Sequence, residues 1–432
     1  MDKETLKYII TDFHEKKLPA TKARSLELPI LKQGDISQTN KIVSLVGVRR
    51  SGKTYLFYHT IKKLIQNGID RKNIIYINFE DDRLFPIKLS EMDAILQAYY
   101  ELYPEKIEDE KYLFFDEIQV VANWEKYLRR IHDTENAQIC ITGSSSKLLS
   151  RDISTSLRGR SISYELSPLS FKEYLNFKDI TIKDYSQKSY AKINNQFDKY
   201  LHYGGFPEIA LTDDDIIKEK ILQEYVDLIQ YKDMVEKYKV QNQFLLKTLL
   251  KFCLTHPANL ISVNKLYNDF KSQGISLSKN TLYEYLEYME ESFIISLNPK
   301  YAKSIRKQQQ NPKKIYIIDS GLMVPFQSQP RMNIGYKLEN SVFTKLKQKH
   351  TEIYYYKNNY EIDFVTRTDD IFYLYNVSDN VKEIDTKNRE INALMKGQKR
   401  FAKAQSFLLL NQMDSVENSA IKTIPIVDFL LS

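Results

Sequence analysis

The sequence predicts an α/β protein in four parts: a parallel, helix-flanked sheet over residues 1–166, a helical segment over 167–244, a winged helix-turn-helix over 245–325 and a second α/β domain over 326–432. Three observations carry this reading. Apolar β-rich runs alternate with helical segments up to residue 166, apolar residues then recur at three-to-four spacing, and a late amphipathic helix is followed by a row of strand-like runs. At 432 residues the chain exceeds what one core normally serves, and a hydrophobic share of 42% supports several.

Charge narrows the partners only a little. With 63 Lys plus Arg against 56 Asp plus Glu, a net charge of +7 admits nucleic acid or another anionic ligand and requires neither. Cys140 and Cys253 lie far apart in apolar stretches, which suits buried thiols in a reducing compartment better than a disulfide or metal framework. The cytoplasm is the expected compartment. No apolar run approaches the roughly 18 residues of a membrane span, and MDKETLKYIITDFHEKK lacks the apolar core of a secretory signal, so no membrane partner is expected.

The first element that carries chemistry is KIVSLV, an apolar run suited to a buried strand, followed directly by GVRRSGKT. Glycine is scarce here, 12 residues in all, yet Gly47 and Gly52 fit G-x-x-x-x-G-K-[ST] without a mismatch. A loop that wraps a phosphate turns successive backbone N–H groups inward, through conformations and close approaches that a Cβ would obstruct. Gly47, Val48, Arg49, Arg50, Ser51, Gly52, Lys53 and Thr54 are therefore the expected phosphate cradle. The helix starting near Gly52 aims its dipole at the phosphates, Lys53 adds a point charge, and the Thr54 hydroxyl can bind Mg²⁺.

Next comes NIIYINFEDDRL, a strand followed by acids and Arg83, and then KYLFFDEIQ at 111–119. Four apolar residues lead into Asp116, expected in the Mg²⁺ shell, and Glu117, expected to orient or deprotonate the attacking water. AQICITGSSSKLL supplies a further strand ending in hydroxyls, where Thr142, Ser144 or Ser145 can contact the terminal phosphate or the water. A helix cap at Ser144–Ser146 is the plainer reading and is compatible with that role. SLRGRSISYEL then puts Arg158 and Arg160 around Gly159, where an arginine can reach a neighbouring protomer's phosphate or pair on the surface.

Together GVRRSGKT, INFEDDRL, FDEIQ followed by NW, ITGSSSKLL, LRGR, ELSPLSFKEYL and YGGFPE resemble the bacterial and archaeal ATPases of the AAA superfamily that carry a C-terminal domain of unknown function. The resemblance covers nearly the whole chain and includes the early helix at LKYIITDFHEKKLP and Arg24. It implies ATP binding and hydrolysis. The phosphate loop does not read the purine, so ATP over GTP follows from the resemblance alone.

Residues 167–240 keep a helical pattern broken at Gly204, Gly205 and Pro207, as in the helical lid of such ATPases or a plain connector. LKTLLKFCLTH, SVNKLYNDFKSQG and SKNTLYEYLEYMEES read as three helices, and FIISL with KKIYIID as a two-stranded wing. Were this module to bind DNA, Lys279, Asn280 and Thr281 would approach bases. Lys300, Lys303, Arg306, Lys307, Lys313 and Lys314 would contact phosphates, whereas Glu284, Glu287, Glu290 and Glu291 would repel them. A protein-docking winged helix is the competing reading.

GYKLENSVFTKLKQKH and the strands IYYYK, YEIDFVTRT and IFYLYNVS follow the order of the restriction-endonuclease-like fold. Glu339 and Asp363 match its first two acids, while Asn376, Val377 and Ser378 stand where acid-x-Lys belongs, so the site is expected to be degenerate. DTKNREINAL resembles the ending of this domain in the family, with no chemistry assigned to Arg389 or Glu390. The sequence thus points to an ATPase, with ATP and Mg²⁺ at the site, whose nucleotide state controls a winged-helix and nuclease-like module. It acts on double-stranded DNA or an unidentified protein, and a homo-oligomer is admitted. A slow nucleotide switch with no DNA role is the alternative, and an ATP-dependent nuclease a weaker third.

Overall fold

The computed structural model describes residues 2–29, 41–149, 155–180, 187–327, 334–382, 384–412 and 419–432, and the chain packs as two units, Met1–Ser167 and Pro168–Ser432. Residues 181–186 of the expected helical segment lie outside the described residues.

In the first unit, helix α1 (Lys3–Glu15) precedes β1 (Ile42–Val46), α2 (Lys53–Gln66), β2 (Ile74–Asn78), α3 (Asp93–Leu102), β3 (Lys111–Asp116), α4 (Trp124–Thr134), β4 (Ala137–Gly143) and β5 (Ser161–Glu165). All neighbouring strands pair parallel, in the order β2-β3-β4-β1-β5. Parallel strands need crossover connections that cover both faces, which is why IVSLV and KYLFFD are buried at every position instead of alternating. Phe57, Ile61 and Leu64 of α2 pack on Tyr76, Phe114 and Cys140 of the sheet. The strand carrying the hydroxyls therefore sits between the phosphate-loop strand and the acid strand, and their carboxyl ends share one edge.

In the second unit, α5 (Phe171–Phe177) opens with a capping box in which Ser170 and Glu173 bond each other's backbone N–H. Helices α6 (Gln187–Tyr203), α7 (Pro207–Leu211) and α8 (Asp215–Leu228) follow, the last running on as a π-helical stretch over Ile229–Glu236. Then come α9 (Gln243–Thr255), β6 (Leu260–Ile261), α10 (Val263–Ser272), α11 (Lys279–Glu291), β7 (Ile295–Asn298), α12 (Ile305–Gln310) and β8 (Lys313–Ile317). Strands β7 and β8 are antiparallel as expected, but β6 adds a third strand on the other edge of β8. The connection between β7 and β8 is not an open loop: Tyr301 N–H donates to Tyr355 O at 2.7 Å and Tyr355 N–H to Pro299 O at 3.1 Å.

The chain finishes with α13 (Ile334–Lys347), β9 (Ile353–Lys357), β10 (Glu361–Thr368), β11 (Ile371–Ser378), α14 (Ile384–Arg400), β12 (Gln405–Leu410), β13 (Ile421–Pro425) and α15 (Ile426–Leu431). Its sheet runs β13-β12-β11-β10-β9, antiparallel across β9, β10 and β11 and parallel across β11, β12 and β13. One apolar core draws on Leu169 and Phe197 of the helical segment, Tyr316 of β8, and Leu338 and Phe364 of the last domain.

The break at Gly204–Gly205 has a definite cause. Gly204 adopts φ 79°, and a Cβ there would stand 1.6 Å from Asp319 Oδ1, while Gly205 N–H donates to Asp319 Oδ2 at 2.6 Å. Gly321 N–H donates to Oδ1 at 2.8 Å, so one buried carboxylate holds two backbone turns. Burial pushes the Asp319 carboxyl up to about 6, against the two backbone donors. A folded-state value above the ordinary carboxyl range near 4 makes this group's contribution most favourable at low pH and erodes it as pH rises through both values. Urea unfolding of the full chain, followed by circular dichroism, should show wild-type stability falling relative to Asp319→Asn between pH about 4 and about 6, by up to about 1.4 kcal/mol per pH unit. A difference independent of pH would contradict this account of Asp319.

Candidate active site

The phosphate loop is built by glycine and by the absence of a cap. Gly47 lies at φ 155°, where a Cβ would meet Leu166 O at 2.2 Å, because Leu166 N–H bonds Val46 O at 2.7 Å and brings that carbonyl against the loop. Gly52 is left-handed at φ 98° and gives α2 no side-chain cap. The first N–H groups of α2 have no partner within the helix, and their partial charge favours an anion at this end. Arg24 braces the loop from outside, donating to Ser51 O at 2.9 Å and Ser167 O at 2.8 Å.

Lys53 is buried and turned back on its own loop, donating to Gly47 O at 3.0 Å and Val48 O at 3.3 Å, with Glu117 Oε1 at 3.6 Å. Thr54 Oγ1 donates to Asp116 Oδ2 at 2.7 Å, so the hydroxyl and the acid expected to share a cation face each other. Asp116 also accepts from Tyr76 Oη at 3.0 Å and from Thr142 Oγ1. Burial raises the Asp116 carboxyl, the Glu117 charge adds to this, and the three hydroxyls oppose it. An ionised carboxylate penalised in this way is relieved by a nearby divalent cation. Among the described residues no three His, Cys, Asp or Glu side chains could hold a metal by themselves. One carboxylate and one hydroxyl suit Mg²⁺, which keeps waters and takes its remaining oxygens from a phosphate ligand.

Glu117 takes φ 53° at the end of β3. Burial pushes its carboxyl up, but Lys53 and Arg49 outweigh it and hold the group below its ordinary value, hence ionised at neutral pH. Its backbone N–H donates to Thr142 Oγ1 at 2.9 Å. The three hydroxyl candidates separate here: Thr142 binds Asp116, Ser145 Oγ accepts Lys147 N–H at 3.3 Å as a turn cap, and Ser144 Oγ lies 3.4 Å from Gln119 Nε2. Arg49 pairs with Glu80 at 2.8 Å, and Arg50 sits at φ 69° on the exposed side of the loop. Arg160 is committed to Asp133 through two bonds of 2.8 and 3.0 Å, whereas Arg158 stands exposed in a left-handed turn at φ 51°.

The sequence assigns no role to Tyr76, Gln119 or Arg24, and the structure places all three at the site. Asn78 pairs with Asp116 in register, which puts Tyr76 two residues back on the same face of β2, a period-two signal visible only once the strand order is known. Gln119 sits in the motif itself, and Arg24 was noted without a contact.

The expected nucleic-acid face is partly rearranged. Lys279 and Asn280 are exposed at the start of α11, Lys279 Nζ lying 5.4 Å from the Tyr267 ring centre, while the Thr281 hydroxyl is 2.9 Å from that of the capping Ser278. Lys303, Arg306 and Lys307 are exposed, but Lys300 reaches Asn358 at 3.2 Å. Two of the four acids expected to repel phosphate turn inward: Glu290 accepts Leu297 N–H at 2.9 Å, and Glu291 accepts from Tyr238 Oη. Lys314 corrects the sequence reading, for it is buried among acids.

That burial also corrects the picture of a nuclease-like site without a lysine. Lys314 Nζ lies 2.9 Å from Glu339, 2.9 Å from Glu361 and 3.1 Å from Asp363. It arrives from β8, not from the strand bearing Asn376–Ser378. Burial works against its charge, and Asp363, Glu339 and Glu361 outweigh it, so the ammonium is kept. Burial and Asp363 push the Glu339 carboxyl up to about 7. Asn376 donates to Glu390 at 2.6 Å, which gives Glu390 a place beside the acids, and Val377 N–H donates to Asp363 at 3.0 Å.

Comparison with known proteins bears on the first unit above all. The model of an AAA domain matches residues 39–175, and that of a domain of unknown function matches residues 194–330. A Methanocaldococcus jannaschii protein described as uncharacterized is 40% identical over 332 residues, covering 76% of this chain and 72% of the relative. An uncharacterized Haemophilus influenzae protein is 31% identical over 355 residues, covering 80% and 86%. Among solved structures, the Aeropyrum pernix ORC1 protein in complex with DNA aligns at TM-score 0.31 and 12% identity, covering 66% of this chain and 86% of that one. AMPPCP-bound DnaA from Aquifex aeolicus aligns at TM-score 0.25 and 13% identity, covering 67% and 86%. Likenesses at that level carry no argument here. The AAA-domain match and the two extensive relatives do: the chain belongs to the family of AAA-domain proteins that these archaeal and bacterial relatives represent.

Proposed function

We propose that this chain is a Mg²⁺-dependent ATPase whose nucleotide state controls a winged-helix and degenerate nuclease-like module that engages double-stranded DNA. The observation that carries it is the meeting of Lys53, Thr54, Asp116 and Glu117 at one sheet edge, below an uncapped helix start. In this reading Mg²⁺, which Thr54 and Asp116 would hold, would supply charge neutralisation at the phosphates when bound. Lys53 leaves its loop carbonyls for the phosphates, Thr54 and Asp116 hold the cation, and Glu117, ionised, takes a proton from the attacking water. Ser144 contacts the terminal phosphate. Arg158, with Arg160 already paired to Asp133, is the arginine offered to a second copy in a homo-oligomer.

A slow switch is the second reading, favoured by the contact between Lys53 and Glu117. It keeps the same residues and lets a partner, DNA or protein, release them. No helix among the described residues is long and apolar enough to cross a membrane, and the cytoplasm remains the proposed compartment.

Lys53→Ala should lose both ATP binding and hydrolysis, whereas Glu117→Gln should bind a fluorescent ATP analogue normally and hydrolyse about 100-fold more slowly or less. A wild type that never turns ATP over, alone or with duplex DNA, sinks the ATPase reading. Duplex DNA should raise the rate in a salt-sensitive way, and Lys279→Ala with Lys307→Ala should reduce that stimulation; a rate indifferent to DNA would move the proposal to a protein partner. Supercoiled plasmid incubated with ATP and Mg²⁺ or Mn²⁺ should stay intact, because Lys314 holds the carboxylates a metal would need. Nicking that Asp363→Ala abolishes would reinstate the nuclease.

A further inference from the structure

Gln119 has no role in the chemistry assigned so far, yet its amide oxygen is buried beside the candidate base. It lies in the 3₁₀ turn Ile118–Val120 that follows the left-handed Glu117. Nε2 donates to Glu117 Oε2 at 2.5 Å and stands 3.4 Å from Ser144 Oγ. Oε1 is buried with no partner among the described residues. A Cβ on Gly143 would come within 2.6 Å of Oε1, so β4 closes on the amide and limits where it can go. Leaving a buried carbonyl oxygen unpaired costs free energy, and the compensation visible here is a charge-assisted bond to a carboxylate.

The two oxygens of Glu117 are thus divided. Oε1 faces Lys53 at 3.6 Å and Oε2 is held by Gln119. If Lys53 moves to phosphate, Oε1 is released while Oε2 stays pinned, which presents one oxygen of a fixed carboxylate to water. The same amide spans the distance to Ser144, the hydroxyl at the tip of the neighbouring strand. We propose that Gln119 is a positioning residue that anchors Glu117 and links it to Ser144, so that the terminal phosphate of a bound nucleoside triphosphate sets the base. This rests on the ATPase reading above.

A role in packing alone and a role in positioning differ in what they do to kinetics. Gln119→Ala removes bulk and donor together, while Gln119→Met keeps the bulk and removes the donor. Both should lower kcat by about tenfold or more with KM, and binding of a fluorescent ATP analogue, within about twofold of wild type. Unchanged nucleotide binding shows that the fold survives. If Gln119→Met restores wild-type kcat, the residue only fills space and the proposal falls while the ATPase stands. If wild type itself shows no turnover, both readings fall together.

Discussion

The first unit depends on how one buried carboxylate is held. Asp116 ends the acid strand, and its oxygens receive hydroxyls from α2, β2 and β4 through Thr54, Tyr76 and Thr142. Three elements far apart in sequence are thereby fastened at one sheet edge. A carboxylate in that position without donors would be strongly penalised by burial, and three hydroxyls reduce the penalty without removing it. The remainder makes the site receptive to a cation. Stability and chemistry here draw on the same group, which is why the edge is polar while Leu113–Phe115 just before it are apolar.

Lysine plays opposite parts in the two units. Lys53 is buried in a loop whose own carbonyls accept it, with Glu117 as its nearest carboxylate. Lys314 is buried among three carboxylates, one of which, Glu361, also pairs with Lys357 at 2.6 Å, and its separation from them is close to 3 Å throughout. Removing either partner of such a cluster would leave uncompensated charge in the interior. One ammonium is therefore placed to move and the other to stay.

A similar economy explains the glycines. Gly47 admits the Leu166 carbonyl, and Gly204 admits the Asp319 carboxylate, each at a distance a Cβ would forbid. In both places a backbone turn is shaped by a group from elsewhere in its own unit, so the glycine marks a tertiary contact as much as a turn.

The local chemistry was legible from sequence alone. The alternation of apolar strands with helices, the G-x-x-x-x-G-K-T loop, and the paired acids after KYLFF follow from side-chain periodicity and from what phosphate binding demands of the backbone, both of which act over a few residues. Tertiary structure decided the rest. Which hydroxyl meets Asp116, that Arg160 is taken by Asp133 while Arg158 is exposed, that Gln119 holds Glu117, and that Lys314 reaches Asp363 across 49 positions all depend on strand order and register. Lys314 illustrates the reason: in sequence it is one of six cations in an acid-free stretch and reads as solvent-facing, but β8 pairs between β6 and β7 and turns it inward. Charge pattern reports composition along a strand, and only the packed sheet says which face that charge occupies.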